Sequence, residues 1–288
     1  MKWLKKHFTT LLLVSVFMIG LGLLLYPSLS DYWNSFHQSR AISLYSENVA
    51  NMNTEEYARM LEEAHAYNTK ISEKGIQWTL TEEEKVEYNE ILKIDSTSAM
   101  GYIDIPKINC KLTIYHGTED IVLHSGVGHM EGTSLPVGGE GSHCVLSGHR
   151  GLPSAKLFTD LDKLVAGDTF SLTILNETFT YEVDQIRVVE PADLSELQLV
   201  EGKDYCTLVT CTPYGVNTHR LLVRGHRVDN PDGEANVVAD AMQIEPIYIA
   251  PFVAVPILVL LLILMLISTR KKAGRNGGEK HEKSKENY

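Results

Sequence analysis

Cys211 ends an apolar, β-branched run, Thr207-Leu208-Val209-Thr210-Cys211, and is followed at once by Thr212-Pro213 and then Gly215. A thiol at a strand end, just before a Pro and Gly turn, is presented to solvent or a groove, whereas one in mid-strand on the core side is buried. Only the thiolate attacks, so such a cysteine needs an imidazole or a cation beside it. Ser147-Gly148-His149-Arg150-Gly151 offers the imidazole, again after an apolar strand (Cys144-Val145-Leu146), between glycines that let the backbone turn sharply. His219-Arg220-Leu221-Leu222-Val223-Arg224 supplies cations on the strand after the cysteine, with Arg220 and Arg224 projecting from one face. Each has an ordinary structural explanation when taken alone: a lone cysteine packs, a loop histidine is solvated, a strand arginine covers a wall. In the order His, Cys, Arg, each at a strand end or start, they outweigh those explanations.

The elements that must position these residues change type near Gly101. Before it, Ile42, Tyr45, Val49, Tyr57, Met60, Leu61, Ala64 and Tyr67 recur at helical spacing, predicting one broken or two consecutive amphipathic helices. Asn53-Thr54-Glu55-Glu56 marks a helix start, because Asn53 or Thr54 can cap and the glutamates suit the first turn. Residues 73–98 read as a polar connection carrying Ile76, Trp78 and Leu80, with a helical patch around Tyr88 to Leu92. Beyond Gly101, residues 102–105, 111–115, 145–146, 170–175, 178–183, 186–189, 206–210 and 220–228 are short and β-branched or alternating. About eight short strands in roughly 130 residues, with a helical insert at Leu157 to Leu164, predict a closed or nearly closed β-barrel. Asn176-Glu177-Thr178 matches a glycosylation triplet but sits where a hairpin turn is needed, so turn chemistry is the better reading.

The chain has 288 residues, 44% of them hydrophobic, enough for one well-cored domain plus membrane segments. A net charge of -11, with the basic residues crowded at the ends, argues against a nucleic-acid partner. Met1-Lys2-Trp3-Leu4-Lys5-Lys6-His7 precedes an apolar run from Leu11 to Leu25, readable as a removed signal peptide or a retained anchor, the anchor being preferred. Ile247 to Ile267 is charge-free and long enough to span a bilayer, and Arg270-Lys271-Lys272 and Arg275 follow it. Basic residues outside both runs make both termini cytoplasmic and everything between them external. Of Cys110, Cys144, Cys206 and Cys211, three read as buried small hydrophobes, and their spacing fits no zinc pattern. Cys206 and Cys211 would face opposite sides of one strand. His116, His124, His129, His143, His219 and His226 show no paired ligand spacing, so no metal site is expected, and Asp104, Glu119, Asp120 and Glu140 read as solvated loop carboxylates.

The region from Met100 to Arg227 resembles the sortases, most closely the class C, pilin-polymerising group. The resemblance rests on Gly101-Tyr102-Ile103-Asp104-Ile105-Pro106-Lys107-Ile108, Tyr115-His116-Gly117-Thr118, Thr133-Ser134-Leu135-Pro136-Val137-Gly138-Gly139, Ser147-Gly148-His149-Arg150-Gly151 and Thr207-Leu208-Val209-Thr210-Cys211-Thr212-Pro213. It implies a mainly β, closed eight-stranded barrel with N-terminal helices and flanking transmembrane segments. It also implies that Cys211 attacks the Thr-Gly bond of a Leu-Pro-x-Thr-Gly (LPxTG) sorting signal on a pilin or surface protein and forms a thioacyl enzyme. His149 then protonates the leaving amine, Arg220 rather than Arg224 holds substrate or oxyanion, and a pilin lysine resolves the intermediate. Class C relatives carry an Asp-Pro-aromatic lid. Here Ile76-Gln77-Trp78-Thr79-Leu80 keeps the aromatic and lacks the Asp and Pro, leaving Trp78 as candidate lid beside Thr210 as candidate substrate contact. No cofactor is implied.

The resulting organisation is a cytoplasmic stub and signal segment (1–30), helices and lid loop (31–98), barrel (99–230), linker (231–246), span (247–268) and basic tail (269–288). A housekeeping sortase differs only in the final acceptor, and the second span and upstream helices argue against it. A silent membrane scaffold has no reason to keep Cys211, His149 and Arg220 together.

Overall fold

A computed structural model of the chain describes residues 2–94 and 98–230; the expected linker, second span and basic tail fall outside them. Within the described residues the chain divides between Tyr32 and Trp33 into two compact units. Helix α1 (Lys2–Ala50) is continuous through Pro27. Its Phe8–Ala50 stretch is long and apolar enough to cross a membrane, with mean hydropathy 2.4 and none of its most apolar window buried.

Helix α2 (Thr54–Lys74) begins where its cap requires: the Asn53 side chain accepts from the Glu56 amide at 2.8 Å. Helix α3 (Glu82–Glu90) starts earlier than the expected Tyr88 patch, because Thr81 and Glu84 form a reciprocal capping box. Three buried side chains fasten these helices to the sheet. The Tyr45 hydroxyl donates to the Met100 carbonyl at 2.8 Å and accepts from the Leu175 amide at 2.7 Å. Asn68 donates to the Leu135 and Gly138 carbonyls and accepts from the Leu135 amide. Tyr88, fully buried, bonds the ring and carbonyl of His129 and accepts from the Gly117 amide at 3.1 Å. A buried polar group without such partners would cost about 1–3 kcal/mol, so each satisfied set fixes a docking position.

Eight strands close a barrel in the order β1-β2-β3-β4-β7-β8-β6-β5. They are β1 (Ala99–Ile105), β2 (Cys110–His116), β3 (Val127–His129), β4 (Ser142–Gly148), β5 (Thr169–Ile174), β6 (Glu177–Val189), β7 (Asp204–Thr212) and β8 (His219–Val228). The β2–β3 and β4–β7 pairs are parallel and the others antiparallel.

The strand count matches expectation while its membership differs. The segments expected at 178–183 and 186–189 are one strand, kinked by an irregularity between Val183 and Gln185. Strand β3 was not expected, being three residues long. The insert expected as a helix at Leu157 to Leu164 contains only a 3-10 turn at Leu161–Lys163, since Leu157 sits at φ 41 where a right-handed helix cannot start. A short helix, α4 (Asp120–Ser125), lies instead between β2 and β3. Leu175 at φ 52 and Asn176 form the tight β5–β6 turn, as the turn reading of the glycosylation triplet expects.

Residue parity divides the barrel wall. Cys144, Leu146, Cys206, Leu208, Leu221 and Val223 belong to the main core. The alternate positions Val145, Val209 and Leu222 form a separate outer cluster with Leu197, against which Met130, Val189 and Leu194 pack.

Candidate active site

The three candidate side chains come from three neighbouring strands. In the parallel β4–β7 pair Ser147 lies opposite Val209, and His149 and Cys211 each follow two residues later, His149 one residue past the end of β4. On the other side of β7, Cys211 is the direct partner of Arg220. Residues in register across adjacent strands point to the same face, so Cys211 and Arg220 share the outer wall, with His149 just past the end of the neighbouring strand β4. That is also the face of Val145, Val209 and Leu222. The site therefore adjoins a buried apolar cluster that the β6–β7 connection covers through Leu194 and Leu197.

Four local features hold this geometry. The Thr210 hydroxyl, turned inward, donates to the Gly148 carbonyl at 2.7 Å and joins the two strand ends. Gly148 leaves room for Phe158, since an added Cβ would lie 2.6 Å from that ring, and the Phe158 amide donates to the His149 carbonyl at 3.1 Å. Arg150 donates to Thr212 Oγ1 at 3.3 Å and to the Asp162 carboxylate, tying the loop after His149 to the residue after Cys211. Gly151, at φ 76, takes the left-handed turn and lies against the Tyr214 ring of the β7–β8 turn.

Among the cysteines only Cys211 is not buried. Burial pushes the Cys110 thiol up to about 12 and that of Cys206 well above its ordinary value, so both stay protonated and inert. Cys206 points inward and Cys211 outward, as their spacing requires.

His149 is half-buried. Desolvation, and then the neighbouring His124, hold its pKa below the ordinary histidine value, against the opposing pull of Asp120. Its Nε2 lies 3.7 Å from Asp120 Oδ1, too far for a hydrogen bond, and has no hydrogen-bond partner. The ring meets that of His124 edge to face at 4.9 Å.

The two arginines are in different states. Arg224 is committed, bonded to both oxygens of Asp184 at 3.0 and 2.9 Å and stacked 4.1 Å over Tyr205. Arg220 reaches only the Asn217 and His219 carbonyls of its own turn among the described residues, at 3.3 and 3.1 Å.

Trp78 is 37% exposed in the connection between α2 and α3. The neighbouring Gln77 amide donates to the Gly132 carbonyl at 3.1 Å, two residues from Met130, whose own amide bonds Val145. The backbone beside the tryptophan is thus tied to the loop that follows β3. Thr210 is 2% exposed and occupied with Gly148.

Sequence reasoning missed Asp120, His124 and Arg150 as neighbours of the site. Asp120 and His124 sit on a helix the residue pattern did not predict. The only signal for Arg150 was its place beside His149.

The family model described as Sortase domain matches residues 103–228. Sortase D of Bacillus subtilis (strain 168) is 34% identical over 139 residues, covering 47% of this chain and 67% of that protein. The crystal structure of sortase C1 from Streptococcus agalactiae is similar at 58% identity and a TM-score of 0.66, covering 67% of this chain and all (100%) of that one. Sortase C of Clostridium perfringens, solved with the C-terminal cell wall sorting motif, gives 46% identity and a TM-score of 0.60, with 67% and 100% covered. Sortase C of Streptococcus pneumoniae, described in terms of pilin substrate specificity, gives 41% and 0.59, with 66% and 97% covered.

Proposed function

The chain belongs to the sortase family of cysteine transpeptidases, and from that premise we propose a pilin-polymerising enzyme in which Cys211, His149 and Arg220 carry the reaction. The direct pairing of Cys211 with Arg220, at the strand end next to the one that His149 follows, is the observation that supports this reading.

The neutral imidazole of His149 takes the Cys211 proton as sulfur attacks the threonine carbonyl of an LPxTG-type signal. Arg220 donates to the oxyanion, a contact of a kind worth about 3 kcal/mol of barrier per donor. The threonine–glycine C–N bond then breaks, and the imidazolium returns its proton to the departing glycine amine. The thioacyl enzyme is attacked by a neutral lysine amine of a pilin subunit, which passes a proton to His149 as the thiolate leaves. The products are an isopeptide bond and the free enzyme.

Thr210 serves the site by holding β4 and β7 together, and Trp78 serves as the candidate lid. The topology is the external barrel with both termini cytoplasmic, supported by Lys2, Lys5 and Lys6 before the first apolar run and Arg270 to Arg275 after the second.

The test incubates the full chain in detergent micelles with an LPxTG peptide and either a lysine-bearing pilin peptide or an oligoglycine acceptor. Mass spectrometry should find a thioacyl adduct, absent in Cys211→Ala, that is resolved by the lysine. Resolution by oligoglycine alone would establish a cell-wall-anchoring sortase instead, and no adduct on a folded chain would leave a scaffold.

A further inference from the structure

Helix α4 presents Asp120 and His124 one turn apart, and the end of β4 brings His149 against them. Asp120 Oδ1 lies 3.7 Å from His124 Nδ1 and 3.7 Å from His149 Nε2. All three ligand atoms fall within 4.8 Å of one another. These separations are too long for hydrogen bonds and somewhat wider than the roughly 3.3 Å between donors on a tetrahedral ion bound at about 2.0–2.1 Å. Asp120 and His124 are exposed and free to close that gap by small side-chain rotations. An independent observation points the same way: His149 Nε2 is buried and has no hydrogen-bond partner. The contact an ion would displace is the one between His124 Nδ1 and the Asp120 carbonyl, 2.7 Å long.

We propose that Asp120, His124 and His149 form a binding site for a divalent transition metal, and that occupation switches the enzyme off. Two imidazoles and one carboxylate favour zinc, cobalt or nickel over the oxygen-seeking calcium and magnesium. A metal on His149 Nε2 leaves the neutral ring with its proton on Nδ1 and no free lone pair, so the imidazole cannot accept the Cys211 proton and inhibition is reversible on metal removal. The inhibition rests on the role of His149 proposed above; the binding does not.

The experiment titrates the untagged full chain in micelles with Zn²⁺ by calorimetry and with Co²⁺ by visible absorption, and separately measures peptide ligation with and without Zn²⁺. One site should weaken about tenfold or more in His124→Ala and in Asp120→Asn, because each removes a ligand. Cys211→Ala should bind as tightly as the parent, its cobalt spectrum unchanged. Ligation without metal should survive in His124→Ala, and that variant should resist Zn²⁺. Zinc affinity unchanged in both ligand variants would overturn the proposal, as would loss of the site in Cys211→Ala, which would place the metal on the thiol. If the chain shows no ligation at all, the transpeptidase assignment fails while the binding measurements still decide the site.

Discussion

Cys211 and Arg220 are direct partners across the antiparallel β7–β8 ladder, one pair before the strands part at Thr212 and His219. Directly opposed side chains on one face sit with Cβ atoms about 4.5–5.5 Å apart, so the arginine side chain starts beside the thiol and can swing to a substrate there. Arg220→Ala should lower kcat by about 10²–10³. Arg220→Lys keeps the charge but loses the planar fork, and should recover only part of that loss. Thermal unfolding should move little in either variant, since Arg220 bonds only its own turn among the described residues. An unchanged kcat in Arg220→Ala would remove the residue from the mechanism.

The hydroxyl of Thr210 bonds the end of β4 directly to the end of β7, beside the Arg150–Thr212 contact. Thr210→Val keeps the shape and orphans the buried Gly148 carbonyl. We expect a stability loss of about 1–3 kcal/mol in urea unfolding. Ligation should fall with it, because the strand ends that carry His149 and Cys211 are then held only by the longer Arg150–Thr212 contact. Thr210→Ser should restore both.

Gly148→Ala sets a methyl 2.6 Å from the Phe158 ring, which is itself fully buried and cannot swing away. Overpacking of this kind costs about 1–3 kcal/mol. Because Phe158 holds the His149 carbonyl, activity should drop further than stability predicts, a difference that parallel kcat and unfolding measurements would reveal.

Acid should weaken the fold through His143. This ring is fully buried between the Gln198 carbonyl and the Thr207 hydroxyl, and burial lowers its pKa to about 4. The unfolded chain, with a value near 6.5, binds the proton more readily. The contribution of His143 is therefore complete above about pH 6.5 and is lost as pH falls towards 4, up to about 3 kcal/mol. Urea unfolding at pH 7 and pH 4.5 should show this loss, and His143→Gln should flatten it; an unaltered slope would assign the acid sensitivity to other groups.

The parity argument for Cys206 and Cys211 and the cap at Asn53 needed only local chemistry, and both were legible in the sequence. The start of α3 was not read, although Thr81 and Glu84 carry its signature, because Glu82-Glu83-Glu84 looked like a solvated connection. Strand β3 is too short for any period to show. Helix α4, Asp-Ile-Val-Leu-His-Ser, has β-branched residues at its centre and is helical because the β2-to-β3 crossing leaves room for one turn and little else. The meeting of Asp120 and His124 with His149 depends on that helix and on a strand end far along the chain, so no spacing rule could find it.

The parallel pairing of β4 with β7 has a consequence for how the enzyme comes into being. Gly148 and Thr210 are 62 residues apart in the chain, and the whole β5–β6 hairpin is made between them. Contacts of such long range carry a large loop-closure cost and form late in folding, after local helices and hairpins have reduced it. Under the proposed mechanism, the nucleophile and its base come together on the same event that finishes the fold.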